Sequence, residues 1–242
     1  MRAGAAGHYI GTFLMPAPLR PEVSFWRRLA DHLLFPVNMW LSEETSFNLG
    51  LTPIDHERVR IALRYCRERL LDIACGNNLL VRTYGDGFGV DFHPWPEADA
   101  RCESSRLPFK NSTFDSVTLL ACLNHITRRK ETLDECHRVL RGSGVLILTM
   151  IPLWIGVLCH PIRKRHDSDQ LERGISHEED LGMSTAEVRR LLESSGFRLT
   201  AHERFLWGLN NLYRAEKEAT NYTKQSATNY TNYTKSQAFK QR

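Results

Sequence analysis

The stretch LLDIACGNNLL, Leu70 to Leu80, runs from an apolar strand through a turn into the start of a helix. In open α/β folds this is where a glycine-rich loop holds a cofactor, yet Gly76 is the only glycine here. The dinucleotide spelling G-x-G-x-x-G would fall on Ala74, Gly76 and Leu79. A leucine in third place opposes the close helix–strand packing that surrounds a pyrophosphate. The spelling G-x-G-x-G after an acidic residue instead takes Asp72, Ala74, Gly76 and Asn78. This register suits the backbone better: Gly76 leaves room for a ligand, and Asn is the non-glycine residue that best tolerates a left-handed conformation. Ala74 is expected at an ordinary negative φ.

Outward from this stretch, between Arg69 and Ala215, apolar runs alternate with amphipathic ones, which predicts βαβ units and a mainly parallel sheet. The runs are RLLDIAC, FGVDF, FDSVTLLAC, GVLILTM, FRLTAHERFL and NNLYRAE. One helix is signalled by MSTAEVRRLLESSGF, with a Ser184/Glu187 capping box, a Met183/Val188 staple and Gly196 as its stop. A second is expected from about Arg128 to Arg141, with Leu133, Cys136 and Leu140 on one face and Gly142 at its end. A third begins TPIDHERVRIAL, where Thr52 caps and Pro53 takes the first helical position.

A chain of 242 residues with 42% apolar side chains supports one substantial α/β domain and a smaller appendage. The reading is an N-terminal extension and lid over residues 1–66, a cofactor domain over 67–217 with an insertion at 152–182, and a disordered tail over 218–242. The tail repeats a polar TNYT unit, and its sequons at Asn221, Asn229 and Asn232 are expected to stay unused. Net charge is a mild +4 with basic and acidic residues interspersed, so charge alone implies no nucleic acid. Six cysteines without a CxxC pair read as reduced thiols in a cytoplasmic protein. The run from Gly144 to Cys159 is too short for a membrane span and is broken by Pro152, and the first twenty residues lack a signal-peptide core. His160, His166 and His177 show no metal-ligand spacing, so no metal is expected. The run Arg163, Lys164, Arg165 reads as a solvated face beside Asp167 and Asp169.

Four ordered motifs resemble the class I S-adenosylmethionine-dependent methyltransferases, in particular the methyltransferase type 11 branch. LLDIACGNN matches the family's hhDhGCGxG, with Ala74 and Asn78 as departures. GVDF supplies an acidic residue, Asp91, at 91 − 72 = 19 positions beyond Asp72. LPF (107–109) and FD (114–115) follow, and RVLRGSGVLIL matches RVLxPGGxLhL with Arg141 and Ser143 as departures. The resemblance implies a Rossmann-like sheet of seven strands in the order 3-2-1-4-5-7-6, the last antiparallel, with helices on both faces. It also implies S-adenosyl-L-methionine as cofactor, a ligand without phosphates.

By that resemblance Asp72, Ala74, Cys75, Gly76 and Asn78 form the loop, with Asp72 toward the methionine end. Asp91 takes the ribose hydroxyls, Phe92 either packs on the adenine or joins the core as a strand aromatic, and Glu103 with Ser104 stands where the adenine amino group is met. LACLNHI ends the fourth strand near the switch point, which puts Asn124 and His125 beside the methyl group, as positioning residues or with His125 as a base. FWRRLADHLLF reads either as a lid, with Trp154, over an acceptor pocket or as a peripheral membrane-surface helix. Phe25, Trp26, Leu33, Trp40 and Trp154 point to a small, partly apolar or lipid-like acceptor methylated on O, N or C. Nucleic-acid methylation lacks a [DN]-P-P-[YF] signature at LNHI, and a non-catalytic cofactor-binding scaffold is the other alternative. The oligomeric state is not encoded in any of these motifs.

Overall fold

In the computed structural model, residues 24–38, 41, 43–157 and 182–218 are described. The tail sequons, Trp40, the 163–165 basic run and His160, His166 and His177 lie outside these residues, as does most of the insertion. Seven strands carry the architecture: β1 Leu70–Ile73, β2 Gly87–Asp91, β3 Ala100–Arg101, β4 Phe114–Leu120, β5 Leu140–Met150, β6 Phe197–Phe205 and β7 Asn210–Lys217. They form one sheet in the order β3-β2-β1-β4-β5-β7-β6, as the family resemblance implies. The first five run parallel, while β7 is antiparallel to both β5 and β6.

Alternation along the strands sorts the two faces. Leu71, Ile73, Val117, Leu119, Leu146 and Leu148 join one core with α5 (Arg129–Val139) and α6 (Thr185–Ser194). On the other face Leu70 packs with α4 (Leu79–Tyr84), and Val145, Ile147 and Leu212 pack against Ile61 and Ala62 of α3 (Ile54–Leu63). Burying both faces explains why the central strands read as nearly continuous apolar runs. Two further helices, α1 (Phe25–Asn38) and α2 (Glu43–Asn48), precede α3.

The capping box at Ser184 and Glu187 is present, and Gly196 follows α6 with a φ of +76°. Two expectations need correction. Thr52 does not cap α3, because Asp31 captures it: the Thr52 N–H and hydroxyl donate to the two Asp31 carboxylate oxygens at 2.9 and 2.7 Å. Pro53 stands at the N-cap instead. The helix expected to reach Arg141 stops at Val139, since Leu140 turns extended and pairs with Phe114, which leaves Gly142 inside β5.

The parallel strands end together at Ile73, Asp91, Leu120 and Met150. Met150 pairs with Asn211 and Phe205 with Asn210, so the β6–β7 turn lies on this same carboxyl edge. Among the described residues no helix is long and apolar enough to cross a membrane.

Candidate functional site

At the end of β1 the chain takes three left-handed residues in alternation, Ala74 (φ +57°), Gly76 (φ +52°) and Asn78 (φ +57°). Ala74 thus departs from the negative φ expected of it. The reversal is imposed by backbone bonds: Cys75 N–H reaches the Val90 carbonyl at 3.1 Å, and Asn78 N–H reaches the Cys75 carbonyl at 2.8 Å. An L-alanine in this region costs about 1–2 kcal/mol. Ala121, just past β4, is also left-handed (φ +54°), its N–H held by the Thr149 carbonyl at 3.0 Å. Both strained alanines flank the point where the strand order reverses, the usual ligand crevice of such sheets.

Asp91 is buried at the end of β2, where one carboxylate oxygen accepts from Gly76 N–H at 3.0 Å and the other from His93 N–H at 2.9 Å. A Cβ added to Gly76 would meet nothing within 4 Å, so the loop is open to close approach beside this carboxylate. Phe92, next in sequence, is exposed, with the Arg101 guanidinium 5.4 Å from its ring centroid. Cys102 N–H donates to the Asp91 carbonyl at 2.9 Å and brings the following segment alongside. There Glu103 is exposed, and the Ser104 hydroxyl lies 2.9 Å from that of Thr132.

Asn78 turns the other way. Its amide donates to the Glu97 carbonyl at 2.9 Å and to Asp99 Oδ2 at 3.1 Å, and the same Asp99 oxygen accepts from Gly89 N–H at 2.7 Å. A Cβ on Gly89 would overlap Asn78 Oδ1. The asparagine side chain therefore braces β2, and its share in the loop is its backbone conformation. Asp99 was missed from sequence, since nothing local links it to a residue 21 positions earlier.

Asp72 lies on the α3–α4 face of β1, buried, and accepts from the Thr118 hydroxyl at 2.5 Å. Burial pushes its carboxyl up to about 7; the Thr118 bond opposes this rise and the nearby Asp91 charge adds to it. Cys75 is also buried in the loop, and burial with the neighbouring Asp72 charge raises its thiol well above the usual range. It is no thiolate nucleophile at neutral pH.

Past β4, Leu123–His125 forms a 3₁₀ turn, tied down by Arg129, which donates to the Leu123 and Asn124 carbonyls at 3.1 and 2.9 Å. Buried Asn124 places its amide nitrogen 3.0 Å from His125 Nε2. With the amide donating, Nε2 is the lone-pair nitrogen and Nδ1 carries the proton. The imidazole face turned to Asn124 is then engaged, which suits positioning better than proton removal.

Beyond β5 opens a cleft of about 920 Å³, lined by Leu153, Trp154, Val157 and Met183 with Thr185 and Asn211 as polar members. The Thr185 hydroxyl lies 3.0 Å from that of Tyr213, and Asn211 Oδ1 lies 2.9 Å from His202 Nε2. Of these lining residues only Trp154 is expected at an acceptor pocket from sequence; Met183 reads there as a helix staple, and Thr185 and Asn211 share no motif with either. Among the described residues no group of His, Cys, Asp and Glu side chains could hold a metal ion.

Residues 71–148 match the family described as "Methyltransferase domain". A ubiquinone/menaquinone biosynthesis C-methyltransferase of Burkholderia vietnamiensis is 27% identical over 121 residues, 41% of this chain and 48% of that protein. A demethylmenaquinone methyltransferase of Streptomyces griseus is 35% identical over 68 residues, 27% of this chain and 29% of that one. The chain thus spans about half or less of the length of these relatives. A solved Thermotoga maritima structure, described as a SAM-dependent methyltransferase and possible histamine N-methyltransferase, matches with a TM-score of 0.52 at 15% identity. That match covers 80% of this chain and 98% of the other, and shows the shared fold.

Two outcomes are expected from this geometry. Gly89→Ala should lower the unfolding free energy by about 1–3 kcal/mol through overpacking. In a double-mutant cycle read by urea denaturation, Asn78→Gly should remove much of that loss; additive losses would contradict the coupling. Asp72 keeps its proton in the folded chain from its usual 3.8 up to about 7, whereas the unfolded chain loses it early. Its stabilising share is full at low pH and is lost as pH rises through 7. Relative to Asp72→Asn, the parent chain should therefore lose stability between about pH 4 and pH 7, and parallel pH profiles would contradict the assignment.

Proposed function

Residues 71–148 belong to the class I S-adenosylmethionine-dependent methyltransferases, and on that premise we propose that the chain methylates a lipid-like, apolar acceptor with an aromatic ring. The observation that carries the acceptor class is the apolar cleft on the same carboxyl edge as the cofactor loop. The names of two curated relatives, both quinone-pathway methyltransferases, support a ring carbon as the methylated atom.

The residues present fit the cofactor. Asp91 offers a carboxylate to ribose hydroxyls, a charge-assisted contact of about 1.5–3 kcal/mol. Exposed Phe92 offers a face to the adenine, the open backbone at Gly76 admits close approach, and Asp72 sits beneath the loop as a carboxyl that a cationic ligand would ionise. When bound, the sulfonium supplies an already activated methyl group. The chain's own work is then alignment and exclusion of water. Trp154, Leu153 and Met183 hold the apolar body of the acceptor, Thr185 and Asn211 orient its polar end, and the Asn124–His125 pair fixes the wall after β4.

The test is formation of S-adenosylhomocysteine with a panel of prenylated and unprenylated quinols, phenols, small amines and oligonucleotides. Prenylated aromatics should support turnover. Trp154→Ala should raise the acceptor KM about tenfold, near 1.4 kcal/mol, and leave cofactor affinity unchanged. Turnover confined to oligonucleotides or small polar amines would overturn the proposal.

A further inference from the structure

The first helix is inverted relative to an ordinary surface helix. It docks through Asp31, Phe35 and Asn38, which are buried, while Phe25, Trp26, Leu29, Leu33 and Val37 project from the opposite side. Phe25 and Trp26 are 71% and 75% exposed. The position of α1 is fixed by the β6–β7 turn: Trp207 Nε1 donates to the His32 carbonyl at 2.5 Å, and the two rings stack at 4.9 Å. That turn lies on the carboxyl edge of the sheet, where Trp154, Val157 and Trp207 are also exposed. Three elements distant in sequence thus bring large apolar side chains to one edge, more than scattered surface residues require.

The charges on α1 point to the occupant. Arg28 is exposed two residues after Trp26, while Arg27 turns inward and lies 3.9 Å from the helix's single acid, Asp31, which Thr52 also holds. No exposed residue of α1 is acidic. An exposed arginine beside Trp, Phe and Leu on a one-sided helix with no exposed acid matches an interfacial segment, with indole rings at headgroup level.

We propose that the carboxyl edge of the sheet docks on an anionic lipid surface, with α1 lying in the interface and Trp154 and Trp207 as neighbouring anchors. The docking stands on exposure and charge alone and does not rest on methyl transfer. Combined with that reading, it lets an apolar acceptor pass from the bilayer into the cleft without crossing water.

The full chain is incubated with phosphatidylcholine vesicles, with and without phosphatidylserine, and sedimented. Binding should appear with the anionic vesicles, weaken with added salt, and fall about tenfold or more in the double variant Trp26→Ser/Leu33→Ser. Both side chains are exposed, so the variant should keep its fold and its thermal-shift response to S-adenosylhomocysteine, which separates this test from the test of the methyltransferase reading. Absence of binding to anionic vesicles, or undiminished binding by the variant, overturns the proposal. A concentration-dependent dimer that the variant abolishes also overturns it, and assigns the face to a second copy.

Discussion

The backbone reversal after β1 is the constraint on which the site depends. With Ala74, Gly76 and Asn78 all left-handed, the chain folds back so that Cys75 N–H bonds to β2 and Gly76 N–H meets Asp91. The strain at Ala74, about 1–2 kcal/mol, is offset by these bonds at roughly 0.5–1.5 kcal/mol each. A loop with three glycines would adopt the same path without strain, but Asn78 adds what glycine cannot, a side-chain tie to Asp99 that fixes the β2–β3 connection. That tie requires Gly89 to lack a side chain. One local conformation therefore reaches through Asp99 and Gly89 to set the carboxylate and the aromatic that follow β2.

The carboxyl edge divides into two halves of different chemistry. Around β1 and β2 it is polar and closely bonded, with a buried carboxyl at Asp72 whose charge is held back by burial. Past β5 it is apolar and open, and the exposed aromatics of α1, the helical segment 153–157 and the β6–β7 turn continue the apolar surface outward. Such a division suits a reaction between a charged cofactor and an apolar partner, since each half desolvates only the molecule it holds. Opposite this edge, the family departures Arg141 and Ser143 lie at the start of β5, where Arg141 pairs with Asp115 at 2.6 Å on the surface, so they leave the site untouched.

Much of this was legible in the sequence because burial on both faces leaves apolar runs that spell the strands, and because the ordered motifs carry a family resemblance that implies the strand order. The Ser184 cap was readable for the same reason: its partner stands three residues away. What stayed hidden depended on partners far along the chain. The sign of φ at Ala74 is set by a bond to Val90, the direction of the Asn78 side chain by Asp99 and Gly89, and the loss of Thr52 as a cap by Asp31. The two-residue β3 carries no periodicity to read, and the cleft gathers Leu153 to Val157, Met183 with Thr185, and Asn211 from three separate segments.

The cofactor assignment rests on Asp91 and the loop that delivers Gly76 to it, and calorimetric titration with S-adenosylhomocysteine tests both. The parent chain should bind it and not NAD, and Asp91→Ala should weaken binding about tenfold to a hundredfold, matching a lost charge-assisted bond of about 1.5–3 kcal/mol. Equal affinity in the variant, or binding of NAD in place of S-adenosylhomocysteine, would contradict the account.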